Sequence, residues 1–118
     1  MAEKVDDRIL EVADKALEIL EDWRGSSQAL TRDSLCSRIG CSDRTLRAAI
    51  RELRIQGHLI VADNKQGGYR FARNGSEVYG YTGRLKSRIK KLREVADAMD
   101  AVAVKRFGEP VEQLSIFG

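Results

Sequence analysis

Residues 42–57 read SDRTLRAAIRELRIQG, and the reading of this stretch decides the fold. Taken as a helix, it puts Leu46, Ile50 and Leu53 on one face by i, i+4, i+7 spacing, with Ala49 alongside. The opposite arc carries Arg44, Arg47, Ala48 and Arg51, and Arg54 stands one turn further on at its edge. Ser42 suits the N-cap, Asp43 complements the positive helix start, and Gly57 suits a left-handed exit. An apolar back, an arginine front and a small residue between the arginines fit a DNA major groove. A solvated basic face on an ordinary amphipathic helix has the same composition. The flanking sequence decides between them.

Upstream, Thr31 caps a helix over residues 32–39 whose apolar positions are Leu35, Cys36 and Ile39, and Gly40-Cys41 turns the chain into Ser42. Helix, glycine-containing turn, then a helix with an arginine face is the helix-turn-helix pattern, whose second helix enters the major groove. Residues 28–30 are too few for a pattern but fit a brief strand. After Gly57 the period changes from helical to extended. His58-Leu59-Ile60-Val61-Ala62 is rich in β-branched residues, residues 63–68 form a turn with Gly67-Gly68, and Tyr69-Arg70-Phe71-Ala72 alternates again. This predicts a β-hairpin with Lys65 near its tip and Arg70 on its return strand. Ahead of all this, residues 4–24 read as one amphipathic helix with Val5, Ile9, Val12, Ala16, Ile19, Leu20 and Trp23 at helical spacing, ended by Gly25-Ser26-Ser27.

Residues 29–72 resemble the winged helix-turn-helix at the start of biotin-operon repressors and related bacterial regulators. The resemblance is carried by L-T-x-x-x-L, I-G-C-S-x-R-T-L-R, I-x-x-L-R-x-x-G and the G-G-Y at the wing's return. It implies a fold of three helices with a small antiparallel sheet that binds double-stranded DNA. By the family pattern Arg44, Thr45 and Arg47 meet bases or phosphates, while Lys65 and Arg70 of the wing meet backbone or minor groove. No biotin-ligase or other sensor domain follows in this chain, so regulation by a small-molecule ligand is not expected.

Composition is consistent with this. A chain of 118 residues with 42% hydrophobic content predicts one small soluble domain with an arm. The net charge of +3 is unevenly spread: residues 1–24 hold four basic and eight acidic side chains, a net of −4. Residues 31–73 hold nine basic and four acidic, a net of +5, and residues 77–107 hold eight and four, a net of +4. Phosphate contacts are local, so the distribution matters more than the total. The acidic first helix is expected to pack rather than to lie on DNA. No apolar run reaches the roughly 18 residues of a membrane span, no signal peptide precedes the charged start, and two cysteines do not make a disulfide scaffold; a cytoplasmic protein is expected.

From residue 76 to 106 the pattern is helical again. Leu85, Ile89, Leu92, Ala96, Met99 and Ala103 alternate spacings of four and three in a heptad-like stripe, flanked by lysines and arginines. Gly80 and Gly83 each cost about 1 kcal/mol in a helix interior, which allows a break or a helix start at Thr82. The stripe needs a partner, either the first helix or its own twin; a homodimer is expected, because a small domain has little core to cover so long a helix. Pro110 stops it. In the tail, Gln113, Leu114, Ser115, Ile116 and Phe117 resemble the pentapeptide by which replication and repair proteins bind the bacterial sliding clamp, with Ile116 in place of the usual leucine. The resemblance implies a glutamine amide fixed by hydrogen bonds and two adjacent apolar side chains in a hydrophobic pocket. The alternative is that Leu114, Ile116 and Phe117 fold back on the body. Small winged-helix chains with a basic C-terminal helix and such a tail resemble phage and prophage products.

Other chemistry finds little support. Zinc needs four ligands, and Cys36, Cys41 and His58 supply neither the number nor a usual spacing. His58 has no nucleophile placed beside it by any motif, and Gly67-Gly68 lacks a phosphate-loop context. No enzyme, metal or cofactor is expected, and no membrane. The expected architecture is α+β: an N-terminal helix (1–25), a winged helix-turn-helix with a three-helix core and antiparallel wing (26–74), a long C-terminal helix (76–107) and a tail (108–118). Arg44, Arg47 and Arg51 are expected to read the groove, and Ser42, Thr45, Lys65 and Arg70 to hold phosphates. Three functions stay open: a replication-associated factor tethered to the clamp, a dimeric transcriptional repressor, and a protein-interaction winged helix that does not bind DNA.

Overall fold

Apolar residues recurring every third or fourth position from Val12 to Leu20 make α1 (Asp7–Asp22), started by the Asp6 side chain, which accepts from the Arg8 N–H at 2.7 Å. The structure, a computed structural model, describes residues 6–26, 28–63 and 67–110. Val12, Ala13, Ala16 and Leu20 of α1 are buried, chiefly against the third helix. After α1 the Trp23 indole N–H donates to the Gln28 carbonyl at 2.9 Å, which closes the loop into β1 (Leu30–Thr31), the brief strand anticipated near here. Thr31 accepts from the Ser34 N–H at 3.1 Å and starts α2 (Arg32–Ile39).

Cys36 accepts from both Gly40 N–H (2.8 Å) and Cys41 N–H (3.1 Å), so α2 ends in a tight turn. The Arg8 guanidinium donates to the Gly40 carbonyl at 2.8 Å and ties the start of α1 to that turn. Ser42 accepts from the Thr45 N–H at 3.2 Å and opens α3 (Asp43–Ile55). Leu46, Ala49, Ile50 and Leu53 are all buried, as the spacing requires. Gly57 leaves α3 at φ +106°, with His58 N–H donating to the Leu53 carbonyl at 3.0 Å. An L side chain rarely adopts that φ, so glycine is the residue for this exit.

The chain then forms β2 (Ile60–Asp63) and β3 (Gly68–Phe71), antiparallel, with Ile60 opposite Phe71 and Ala62 opposite Tyr69. β1 pairs with the other edge of β3, Leu30 opposite Tyr69 and Thr31 opposite Gly68, giving the order β1-β3-β2. A Cβ on Gly68 would overlap the Leu30 carbonyl oxygen, so the glycine is what lets β1 and β3 meet. Leu30, Ile60, Tyr69 and Phe71 close the core from the sheet side.

Asn74 accepts from the Glu77 N–H at 2.9 Å and precedes α4 (Gly75–Phe107), one residue ahead of the predicted start. Gly80 and Gly83 lie inside this helix, and there is no interruption at Thr82. The chain forms two compact units that divide between Tyr81 and Thr82, so the first turns of α4 belong to the first unit and the rest to the second. No residue of α4 is buried, and Leu92 and Met99 of its apolar stripe are 64% and 68% exposed. Among the described residues, no helix is long and apolar enough to cross a membrane.

Candidate nucleic-acid interface

The buried back of α3 fixes its rotation, and so its outer face presents Arg44, Arg47 and Arg51, all exposed. At 1.5 Å per residue these span about 10 Å along the helix, or roughly three base steps of a duplex. Ala48 lies half-buried among them and leaves room for a closely approaching groove floor.

The three arginines are not equivalent. Asp43 at the head of α3 pairs with Arg47 at 2.8 Å and reaches Arg32 of α2 at 3.6 Å. Among the described residues, Arg44 and Arg51 have no ion-pair partner. Their charge is therefore fully available to an incoming phosphate or guanine edge. Ser42 and Thr45 are occupied with each other as well as with the cap: the Ser42 hydroxyl donates to the Thr45 hydroxyl at 3.0 Å. The Thr45 proton stays free to donate to a phosphate, whereas the single Ser42 proton is committed to Thr45 and must be redirected before Ser42 can donate to one.

Arg54, which the helical wheel puts at the edge of the basic arc, turns inward. Its Nε donates to the Ile60 carbonyl at 2.8 Å, and its guanidinium lies over Tyr81 at 4.7 Å and Tyr69 at 5.7 Å. One terminal nitrogen of Arg54 is buried without a hydrogen-bond partner, and the two ring faces are what offset its desolvation. Burial pushes the Tyr69 hydroxyl above its ordinary pKa, with the Arg54 charge acting in the opposite direction. This arginine thus fastens α3 to the sheet and to the first turns of α4.

The wing departs from expectation at Arg70. Its two terminal nitrogens donate to the two carboxylate oxygens of Glu77, each at 2.8 Å, and the Arg70 side chain is only 19% exposed. A phosphate would have to displace that carboxylate, so Arg70 is placed to hold the wing's return strand against α4 rather than to reach DNA. Lys65, expected near the wing tip, and Gln113, Leu114, Ser115, Ile116 and Phe117 of the tail lie outside the described residues.

Glu77 also accepts from the Arg73 N–H at 2.7 Å. The Arg70 guanidinium, and then the Arg73 backbone donor, bring its carboxyl down to about 2. A carboxyl held below its unfolded value of 4.5 stabilises the fold at every pH above that value and loses its contribution as pH falls toward 2. We expect the melting temperature to drop between about pH 4.5 and 2, and to drop less steeply in Glu77→Gln. Parallel curves for the two proteins in that window would show that the pair is not formed.

Cys36 and Cys41 are both free and half-buried. Burial, then the neighbouring Cys41, pushes the Cys36 thiol up, away from the thiolate that metals bind. Among the described residues there is no group of three or more His, Cys, Asp or Glu side chains that could hold a metal ion.

Two helices that meet at a glycine turn, backed by a third and closed by a short antiparallel sheet, form a winged helix-turn-helix, a DNA-binding class of domain. Residues 15–70, from α1 into β3, match the family model described as an HTH domain. No curated protein matches the chain.

Proposed function

We propose that the protein binds double-stranded DNA by laying α3 in the major groove, with Arg44, Arg47 and Arg51 reading base edges and Ser42 and Thr45 positioning the helix on phosphates. The observation that carries this reading is the row of outward guanidinium groups on a helix whose opposite face is locked in the core. Lys65 adds a wing contact in this reading; Arg70 acts indirectly, by holding β3 to α4. Titration of duplex DNA at several salt concentrations tests it. The logarithm of the affinity should fall linearly with the logarithm of salt, with a slope set by the phosphates contacted. Binding that is absent, or indifferent to salt, would favour the rival reading, a winged helix that contacts only protein.

The role we favour is a replication-associated factor of phage or prophage type, tethered to the bacterial sliding clamp by Gln113, Leu114, Ser115, Ile116 and Phe117. The support is the order of those side chains beside a helix stop. Phe117→Ala is expected to abolish capture by the clamp while leaving DNA affinity unchanged, because the two surfaces share no residue. Undiminished capture ends the tether.

A second reading, a dimeric transcriptional repressor, draws on the exposed apolar stripe of α4. In both roles the protein is a homodimer through that helix. The repressor alone requires a palindromic site with half-sites about one helical turn apart, which footprinting would reveal.

A further inference from the structure

The stripe on the second unit carries more information than the need for a partner. Ile89, Ala96 and Ala103 fall at one core position of its heptads, and Leu85, Leu92 and Met99 at the other. Large side chains gather at the N-terminal end and alanines at the C-terminal end. Charge divides at the same place. Residues 84–93 contain six basic side chains and no acidic one, while residues 94–104 contain Glu94, Asp97 and Asp100 and no basic one. Ile89, Leu92 and Met99 are largely exposed and Leu85 and Ala103 half-buried, so the middle of the seam is open to a partner.

We propose that the occupant of this face is a second copy of the chain running antiparallel along it. The inference rests on the dimer reading above and specifies its direction. In a parallel pair each residue would meet itself. Leucine and isoleucine would then stack at one end while Ala96 and Ala103 faced their own copies at the other. Preferred separations of packed helices, about 8–10 Å, depend on side-chain size, so such a pair is pushed apart at one end and drawn together at the other. Its two basic blocks would also lie side by side, with Arg88 against Arg93 on both flanks.

Reversing one helix relieves both conflicts. Leu85 then packs with Ala103 of the second copy, Ile89 with Met99, and Leu92 with Ala96, so each alanine meets a leucine and no layer holds two alanines. The basic block of each copy lies along the acidic block of the other, and Lys86 meets Asp100 on each side. Val95 faces its own copy on the opposite flank. One like-charge contact remains, Arg93 with Arg93 at the two-fold axis.

That contact supplies the test. The full chain is made as two single variants, Arg93→Cys and Met99→Cys, and oxidised with copper phenanthroline. Tryptic peptides then identify which residue is joined to its own copy. The antiparallel dimer brings position 93 against itself and holds the two position 99 residues about 15 Å apart along the axis. Cross-linking at 93 and not at 99 is the expected result. The reverse pattern means a parallel dimer and overturns the direction while keeping the dimer. Sedimentation of the unmodified chain as a monomer, with cross-links at neither position, removes the dimer itself. As a second measurement, Lys86→Glu should weaken dimerisation and Lys86→Glu/Asp100→Lys should restore it. Failure of the double variant to recover would also overturn the antiparallel pairing.

Discussion

Leu46→Ala is expected to lower the free energy of unfolding by about 2–5 kcal/mol, the largest effect of any single substitution considered. Leu46 is fully buried on the inner face of α3, in the same cluster as Val12 and Leu20 of α1 and Leu35 of α2. Truncation removes apolar contacts and leaves a cavity that three helices must close together. Collapse is resisted at both ends of α3, by the Ser42 cap and by Arg54 on the Ile60 carbonyl. A domain of this size holds only about 5–15 kcal/mol in total, so the loss is a sizeable share of its stability. Urea unfolding followed by circular dichroism measures it, with Arg51→Ala as a surface control expected to stay within about 0.5 kcal/mol. A midpoint unchanged from the parent would mean that α3 does not pack as described.

Arg47→Ala should act in the opposite sense, sparing the fold and weakening the binding of a preferred duplex by about 1–3 kcal/mol. The arginine is exposed, and its single ion pair with Asp43 contributes little at a surface site. Comparison of a selected site with unrelated duplex separates two roles. A loss confined to the selected site identifies a base contact; an equal loss on every sequence identifies a phosphate contact.

Much of this was legible in the sequence because its signals are periodic or local. The i, i+4, i+7 pattern of Leu46, Ile50 and Leu53 specifies a helix and the face it buries, and Ser42 and Gly57 mark its ends within a residue or two. The hairpin followed from the change to extended pattern after Gly57. Pairings between elements were not legible. Arg70 and Glu77 sit on a strand and a helix, and no spacing rule links them. As a result, a wing arginine expected at DNA belongs to an internal pair. Arg54 was ambiguous for a related reason: at the edge of a helical face, only the neighbouring rings of Tyr69 and Tyr81 decide whether a guanidinium turns in or out. Asn74 with Glu77 three residues on is a helix-start signature that could have placed the first residue of α4.

Asp43 gives the candidate interface an internal competitor. Its carboxylate already sits where a phosphate oxygen would approach Arg47, with Arg32 within its reach. For Arg47, a phosphate would replace one anion by another, and because the Asp43 pair is exposed the exchange costs little. A guanine edge offers two aligned acceptors that Asp43, shared between two arginines, does not match. In the DNA-binding reading proposed above, Asp43 is therefore a competitor that a phosphate or a guanine edge must displace before either can engage Arg47.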